Sequence, residues 1–290
     1  MDIEKYTARG DREIRLDDFD TRDTGGFGSA KHTKKLLKKN IGLISDFQDR
    51  FYADGRTGLL IIFQAMDAAG KDSAIKHVMT GINPQGVSVH NFRKPSVEEL
   101  AHDYMWRAAK VLPERGKIAI FNRSYYEDVL IGKVRRLYEN YNLPDRCKTD
   151  DTIEKRYAQI HNFEDHLWEN GIVVLKFFLH LSKDEQRKRF LKRIDVKDKN
   201  WKFSDADIEE RKYWDDYQEA YETAINATAS AVNPWYIVPA DKKWFSRVVV
   251  SEVLLETMKA IDPQYPVVSP EHEAELERCR ELLSGEPLPG

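Results

Sequence analysis

The sequence predicts an α/β fold in which helices cover both faces of a central parallel sheet. Short apolar runs alternate with longer amphipathic segments along most of the chain, which is the pattern of β–α repeats. The first run, Leu59–Phe63, contains no polar residue and therefore suits a central strand buried on both faces. A turn of small residues and a helical segment follow it directly, and folds of this class bind phosphates at such a junction.

The bulk composition indicates a globular protein. The 290 residues suffice for one large domain, with 41% hydrophobic and 33% charged residues. A net charge of −3 gives no general attraction to nucleic acid or to an anionic membrane, so we expect neither as a partner. Cys147 and Cys279 lack metal-ligand spacing. Without a signal-peptide core or an apolar run of about 20 residues, a cytoplasmic protein is the default expectation.

The predicted elements follow in chain order. Residues 1–30 are charged and glycine-containing, and we interpret them as an N-terminal arm. Residues 31–262 form a single domain that includes a mobile helical lid at about 183–217, and residues 263–290 form a C-terminal tail. We expect about five strands, at Leu59–Phe63, Val87–Phe92, Lys117–Asn122, Ile172–Leu179 and Trp235–Val238. We expect helices at 32–53, 71–80, 97–111, 125–139, 151–169, 182–194, 205–227 and 244–261.

The turn after the first strand resembles the P-loop motif G-x-x-x-x-G-K-[ST]. Small residues allow several backbone N–H groups to face one anion, and Lys71 adds a point charge. The match is imperfect, because Ala65 replaces the first glycine and Asp72 precedes Ser73. Asp67 beside bound phosphate is repulsive unless a cation lies between them, so we interpret it as a Mg²⁺ ligand. The alternative is a ligand-free turn. The predicted phosphate-binding residues are Ala68, Ala69, Gly70, Lys71, Asp72 and Ser73.

A second group of candidates follows the third predicted strand. Ligands gather at the carboxyl ends of parallel strands, so we expect Arg123 to face the small-residue turn and to bridge two phosphates. Asp128 lies about one helical turn beyond Ser124 and is our candidate for the second metal carboxylate. The alternatives are a surface salt bridge for Arg123 and a solvated helix residue for Asp128.

Two basic clusters complete the predicted site. Arg189 and Arg193 share one helical face, and we expect one of them to close over the transferring phosphoryl group. The alternative is a solvated basic face. Arg93 and Lys94 follow the second strand and are candidate contacts for a polyanion, although a plain basic turn is nearly as good an interpretation.

The sequence resembles the polyphosphate kinase 2 family over about residues 30–262. Three runs carry the resemblance: LLIIFQAMDAAGKDSAIKHVMTGINPQGVSVHNFRKPS, IAIFNRSYYEDVLIGKV and LSKDEQRKRFLKRI. Generic P-loop kinases do not combine a loop that ends in Gly-Lys-Asp with the run Asn-Arg-Ser-Tyr-Tyr-Glu. The resemblance implies a thymidylate-kinase-like P-loop fold with a helical lid. It also implies phosphoryl transfer from inorganic polyphosphate to a nucleotide, with Mg²⁺, or Mn²⁺ as an alternative.

The resemblance also assigns individual roles. It places Asp67, Lys71, Arg123 and Asp128 on functional positions of the family. Glu127 resembles the class III branch, which accepts nucleoside mono- and diphosphates, so AMP and ADP are the expected acceptors, with GMP and GDP open. The predicted nucleotide-binding residues are Arg123, Tyr126 and Glu127, and the predicted polyphosphate contacts add Lys34, Arg93 and Lys94.

The sequence is also compatible with other functions. The nearest is an ATP-dependent nucleotide or nucleoside monophosphate kinase on the same fold, and a second is a binding module without catalysis. The lysines around Lys34 suggest nucleic-acid binding, but the acidic pI and the lack of interleaved aromatic residues argue against it. A homo-oligomer is a common state for such folds, and the sequence leaves it open.

Overall fold

The computed structural model describes residues 1–286 and contains one six-stranded sheet. The strands are β1 (Thr7–Ala8), β2 (Gly58–Gln64), β3 (Val87–Asn91), β4 (Ile118–Asn122), β5 (Ile172–His180) and β6 (Trp235–Pro239). Their order is β1-β6-β5-β2-β4-β3, and every pairing except β1 with β6 is parallel. The predicted α/β fold with a central parallel sheet is confirmed.

The α-helices alternate with the strands. They are α1 (Ala30–Asp54), α2 (Lys71–Val78), α3 (Val97–Leu100), α4 (Trp106–Ala109), α5 (Ile131–Val134), α6 (Thr152–Glu169), α7 (Lys183–Asp195), α8 (Ala206–Arg211), α9 (Trp214–Thr228), α10 (Lys243–Ile261) and α11 (Pro270–Ser284). Short 3-10 turns cover Glu4–Tyr6, Leu16–Asp18, Pro84–Gly86, Tyr125–Asp128, Leu137–Asn140, Asp145–Cys147 and Lys197–Lys202. The single helices predicted at 97–111 and 125–139 are therefore each broken into shorter pieces.

Alternating residues of β2 divide the hydrophobic core into two layers. Leu60 and Ile62 pack on one face of the sheet, against α6 and α9. Leu59, Ile61 and Phe63 pack on the other face, against α1, α2 and α10. Because both faces are covered, β2 has no polar position before Gln64, and the whole strand is buried. This explains the uninterrupted apolar run in the sequence.

The N-terminal arm is part of the sheet. Thr7 and Ala8 pair antiparallel with β6, and the side chain of Leu16 is buried in the core. The Leu16 and Ile14 amides donate to side chains of α9. No sequence pattern predicted this packing, because a two-residue strand has no periodicity to detect.

A buried polar network lies beneath the sheet. Lys176 on β5 and Glu164 on α6 are both almost fully buried, and their charged atoms are 2.5 Å apart. Tyr125 and Tyr126 each donate a hydrogen bond of 2.9 Å to the same Glu164 oxygen. The network ties the segment after β4 to the helices beneath it. Within residues 1–286, no helix is long and apolar enough to cross a bilayer.

Candidate active site

The phosphate loop, Ala65–Ser73, connects the carboxyl end of β2 to the first turn of α2. Ala68 adopts a positive φ of 64°, and Gly70 has a φ of 115° at the N-cap of α2. A positive φ is unusual for alanine and indicates a backbone conformation that the surrounding structure imposes. The loop therefore curls tightly before the helix begins, as a phosphate-binding turn requires.

Lys71 projects from the first turn of α2 back across this loop. Its Nζ donates to the Ala65 carbonyl at 2.9 Å. Desolvation, reinforced by the neighbouring Arg123, lowers the pKa of Lys71 to about 8. The ammonium group is thus held at the loop with one backbone partner, in surroundings where an anion would relieve the cost of its charge.

The loop forms one wall of a wide cleft of about 770 Å³. Basic side chains dominate its lining: Lys71, Arg93, Arg123, Arg189, Lys192, Arg193, Lys199, Lys202 and Lys243. Three acidic residues, Asp67, Asp72 and Asp207, also line it. On a chain with a net charge of −3, this cleft is a local concentration of positive charge.

Arg123 faces the loop across the cleft, as predicted. Its Nη2 lies 2.9 Å from Asp67 Oδ1, and its Nη1 lies 4.0 Å from Glu127 Oε2. These two carboxylates raise the pKa of Arg123 further above its usual value. The backbone of Arg123 has a positive φ of 63°, and its amide donates to the carbonyl of Phe63. The strained conformation directs this side chain toward Asp67.

Residues 183–217, the predicted lid, contact the loop side of the cleft through Lys202. Its Nζ lies 3.6 Å from Asp72 Oδ2, and Asn122 donates to Asp72 Oδ1 at 2.9 Å. The Asn122 hydrogen bond and Lys202 hold the pKa of Asp72 below its usual value, although burial opposes this. Asp72 therefore joins the lid to the strand end.

The two predicted lid arginines have different surroundings. Arg193 lines the cleft and pairs with Asp207 at 3.5 Å. Arg189 is buried, and its guanidinium donates to the carbonyls of Ala68 and Ala69. The expectation that Arg189 closes over the reacting group needs correction, because its donors are already used to hold the loop.

Two further predictions are corrected by burial. Asp128 is buried and pairs with Arg156 at 3.3 Å, and it does not line the cleft that contains Asp67. Burial raises the pKa of Asp128 to about 6, against the opposing effect of Arg156. Tyr126 is fully buried in the Glu164 network, so it has no surface to offer a nucleotide. The four-residue 3-10 turn, where a longer helix was expected, rotates both side chains inward.

Asp128 contributes instead to a second cavity of about 270 Å³. Tyr104 and Tyr141 line it together with Arg107 and Arg156. Arg107 connects the two cavities, because its Nη1 donates at 2.8 Å to the carbonyl of Arg93, which lines the cleft. An aromatic cavity thus adjoins the phosphate cleft near the turn after β3.

Several cleft residues were absent from the predicted set. Lys243 begins α10 and lines the cleft, and Arg247 donates to the Ser73 hydroxyl at 2.8 Å. Burial and the neighbouring Arg189 lower the pKa of Lys243 to about 8. The available signal was their position just after the last strand, at the same sheet edge. By contrast, Lys34 and Lys94 are exposed and line neither of the two cavities.

Fold and site together define a class. A parallel sheet whose first long strand runs into a small-residue loop, a lysine and a helix, under a basic helical lid, is the architecture of P-loop phosphotransferases.

The chain belongs to the polyphosphate kinase 2 family, whose profile matches residues 28–266. It is 49% identical over 273 residues to the ADP-polyphosphate phosphotransferase of Rhodopseudomonas palustris, covering 93% of this chain and 94% of that protein. It is 42% identical over 265 residues to the AMP/ADP-polyphosphate phosphotransferase of Meiothermus ruber, covering 91% and 96%. The crystal structure of polyphosphate kinase 2 from Arthrobacter aurescens TC1 superposes with a TM-score of 0.85 at 37% identity, over 92% of this chain and 93% of that one.

Proposed function

We propose that this protein transfers the terminal phosphoryl group of inorganic polyphosphate to AMP, ADP or both. The observation that carries the proposal is the cleft, in which the phosphate loop and Arg123 face each other beneath a basic lid. A linear polyanion matches a cleft of this size and charge better than a single phosphate group does. The relatives named above are phosphotransferases that use polyphosphate, which supports the same donor.

We assign the acceptor nucleotide to the part of the cleft that Arg123 lines. The aromatic cavity beside the cleft is large enough to take part of a nucleoside, with Tyr104 and Tyr141 as stacking surfaces. Arg93 and Arg123 line the cleft where the acceptor phosphate would enter it from that cavity. Glu127 is half-buried between Arg123 and Gln64. It accepts a hydrogen bond from Gln64 and helps to orient the guanidinium of Arg123. In this assignment the donor lies along the lid and the phosphate loop.

A divalent cation fits one carboxylate of the cleft. Within residues 1–286, no group of three or more His, Cys, Asp or Glu side chains is arranged to hold a metal. Mg²⁺ commonly uses one or two carboxylates and completes its octahedron with waters and substrate phosphates. Asp67 fits that role, because it lines the cleft and about a third of its side chain is exposed beside its partner Arg123. Asp128 is buried against Arg156 and does not line the cleft. We therefore propose Asp67 as the protein ligand for Mg²⁺, or for Mn²⁺ in its place.

The residues support a direct in-line transfer. An ionised oxygen of the nucleotide phosphate attacks the terminal phosphorus of polyphosphate, and the chain shortened by one phosphate leaves. When bound, the cation would neutralise charge on the reacting phosphates. Lys71 and Arg123 stabilise the negative charge on the equatorial oxygens of a loose transition state. The lid excludes water, which would otherwise compete as the acceptor.

A transfer assay without ATP tests the proposal. We expect polyphosphate and Mg²⁺ to convert AMP to ADP, ADP to ATP, or both, and the two acceptors should be assayed in parallel. Asp67→Asn should lose turnover and keep its melting temperature, and excess EDTA should stop the wild-type reaction. Phosphorylation of AMP from ATP alone, with none from polyphosphate, would show an ATP-dependent kinase instead. Full activity of Asp67→Asn would refute the metal assignment.

A further inference from the structure

A hydrogen-bonded junction lies behind the phosphate loop, outside the reacting centre. The buried carboxylate of Asp241, just after β6, accepts from the Ser182 amide at 2.9 Å and from the Ser182 hydroxyl at 2.7 Å. Ser182 in turn caps α7 by accepting from the Glu185 amide at 3.1 Å. One carboxylate therefore fixes the start of the first lid helix.

The same aspartate also holds the N-terminal arm. The Thr21 hydroxyl donates to Asp241 Oδ2 at 3.2 Å, and the Asp241 amide donates to the Thr21 carbonyl at 3.0 Å. Arg22 adds a more exposed ionic contact at 3.6 Å. The segment after β1 is thus joined, through one residue, to the base of the lid.

Arg189 carries the junction to the phosphate loop. Its Nη2 donates to the Ala240 carbonyl at 2.6 Å and to the Asp241 carbonyl at 3.2 Å. Its Nη1 donates to the Ala68 carbonyl at 3.0 Å and to the Ala69 carbonyl at 2.6 Å.

The Arg189 Nε donates to Glu185 at 2.9 Å. With this bond and the four to backbone carbonyls, all five donors of the guanidinium have partners.

This arrangement constrains the backbone that would meet a phosphate. In a trans peptide, a carbonyl and the following N–H point in opposite directions. Holding the Ala69 carbonyl on Arg189 therefore directs the Gly70 N–H away from Arg189. The positive φ values at Ala68 and Gly70 are maintained by contacts of this kind.

We propose that Asp241 is a positioning residue that sets the conformation of the phosphate loop through Arg189. Its carboxylate holds the N-terminus of α7, the helix that carries Arg189, and its backbone carbonyl accepts from the Arg189 guanidinium. The same carboxylate joins the loop and the lid base to the N-terminal arm. Asp241 itself acts only through its neighbours and touches no substrate in this assignment. The proposal rests on the proposed function only where transfer rates are used to test it. In this proposal, Arg189 holds the conformation of the phosphate loop. The N-terminal arm supports that conformation as well as adding a strand to the sheet.

The first test uses ligand-free protein and is independent of activity. In Asp241→Ala, hydrogen–deuterium exchange should accelerate in the peptide spanning 65–73, although Asp241 has no side-chain bond to that loop. Asp241→Asn, which keeps one oxygen acceptor, should restore most of the protection. Asp23→Ala is the matched control, because it breaks contacts within the arm, to Tyr6 and Lys5, and leaves Ser182 untouched. Faster exchange confined to the arm and to residues 180–186 would overturn the proposal.

The second test measures transfer. For Asp241→Ala, we expect kcat/KM for polyphosphate to fall by about 10- to 100-fold, with the nucleotide KM changed by less than about twofold. A lower melting temperature with unchanged kinetics would show a purely structural role and overturn the proposal. An inactive wild type would refute the proposed function alone, and the exchange result would still decide the role of Asp241.

Discussion

Two lysines of this protein have contrasting surroundings. Lys71, in the first turn of α2, lies beyond the carboxyl end of β2 and beside a basic cleft, with its Nζ bonded to one backbone carbonyl. Lys176 lies in the middle of β5 with no exposed surface, bonded to Glu164, to the Thr228 carbonyl and to Tyr126. Burial lowers the pKa of both side chains.

The comparison distinguishes a lysine that is available to bind a ligand, Lys71, from a lysine that stabilises the fold, Lys176. Lys176 has a full set of three partners for its three N–H donors, so nothing remains for a substrate. Lys71 has spare donors and repulsive cationic neighbours, and a bound phosphate would improve its surroundings. A strongly perturbed lysine therefore indicates function here only when its bonding is incomplete.

Among the lysine variants, the largest effect on turnover is expected for Lys71→Met. Removing the cation takes away charge stabilisation at the reacting phosphates, and loss of one such group typically costs about 10²- to 10³-fold in kcat. The melting temperature should change little, because a single hydrogen bond to Ala65 is lost. Steady-state assays and circular dichroism measure the two quantities. A fall in kcat of less than about tenfold would show that Lys71 does not stabilise the transition state.

For Lys176→Met, we expect a large loss of stability and little change in kcat. Breaking a buried ion pair leaves Glu164 uncompensated, which costs about 3–5 kcal/mol of unfolding free energy. The kcat of the protein that remains folded should stay close to wild type. Denaturant unfolding and assays at low temperature measure the two quantities.

Lys259→Met is the control for that comparison. It removes a partly exposed pair with Glu256, which is worth about 0–1 kcal/mol. Equal destabilisation by the two variants would contradict the assigned difference between a buried and a surface pair. A large loss of kcat in folded Lys176→Met would show that the network also shapes the site.

The smallest expected effect is a dependence of kcat/KM on pH. Lys71 and Lys243 both have a pKa of about 8, so they are charged below that pH and lose charge above it. The value of kcat/KM for polyphosphate should therefore decline above pH 8, by about tenfold per pH unit for each proton lost. Lys243→Arg keeps its charge and should make the decline shallower. A flat profile up to pH 9.5 would contradict the assignment.

Unfolding does not explain such a decline. Between pH 8 and 10.5, the usual lysine pKa, the unfolded chain binds more protons than the folded protein at these two sites. Their contribution to stability therefore rises with pH in that window. Melting temperatures measured across the same pH range separate the two effects.

Much of the fold was predictable from local pattern. All five expected strands are present, because four are apolar runs bounded by polar residues or turns and the fifth, Val87–Asn91, begins with alternating apolar and polar residues. The phosphate loop and the facing Arg123 were also predictable, since both follow buried strands at one edge of the sheet. The helices expected at 97–111 and 125–139 are each broken into short pieces. In the second, the consecutive residues Tyr125 and Tyr126 are both fully buried, and a single apolar helix face does not provide this arrangement.

The sequence by itself determined the layered α/β architecture, the family and the position of the phosphate loop, because these depend on period, composition and adjacency along the chain. The tertiary structure alone decided which charged residues are free to meet a ligand. Arg189 and Arg193 have the same chemistry, lie four residues apart and both line the cleft, yet Arg189 uses its donors to hold the loop carbonyls, whereas Arg193 pairs with Asp207. Asp67 and Asp128 are similarly divided between an open cleft and a buried ion pair. That division depends on partners from distant segments, and no local spacing encodes it.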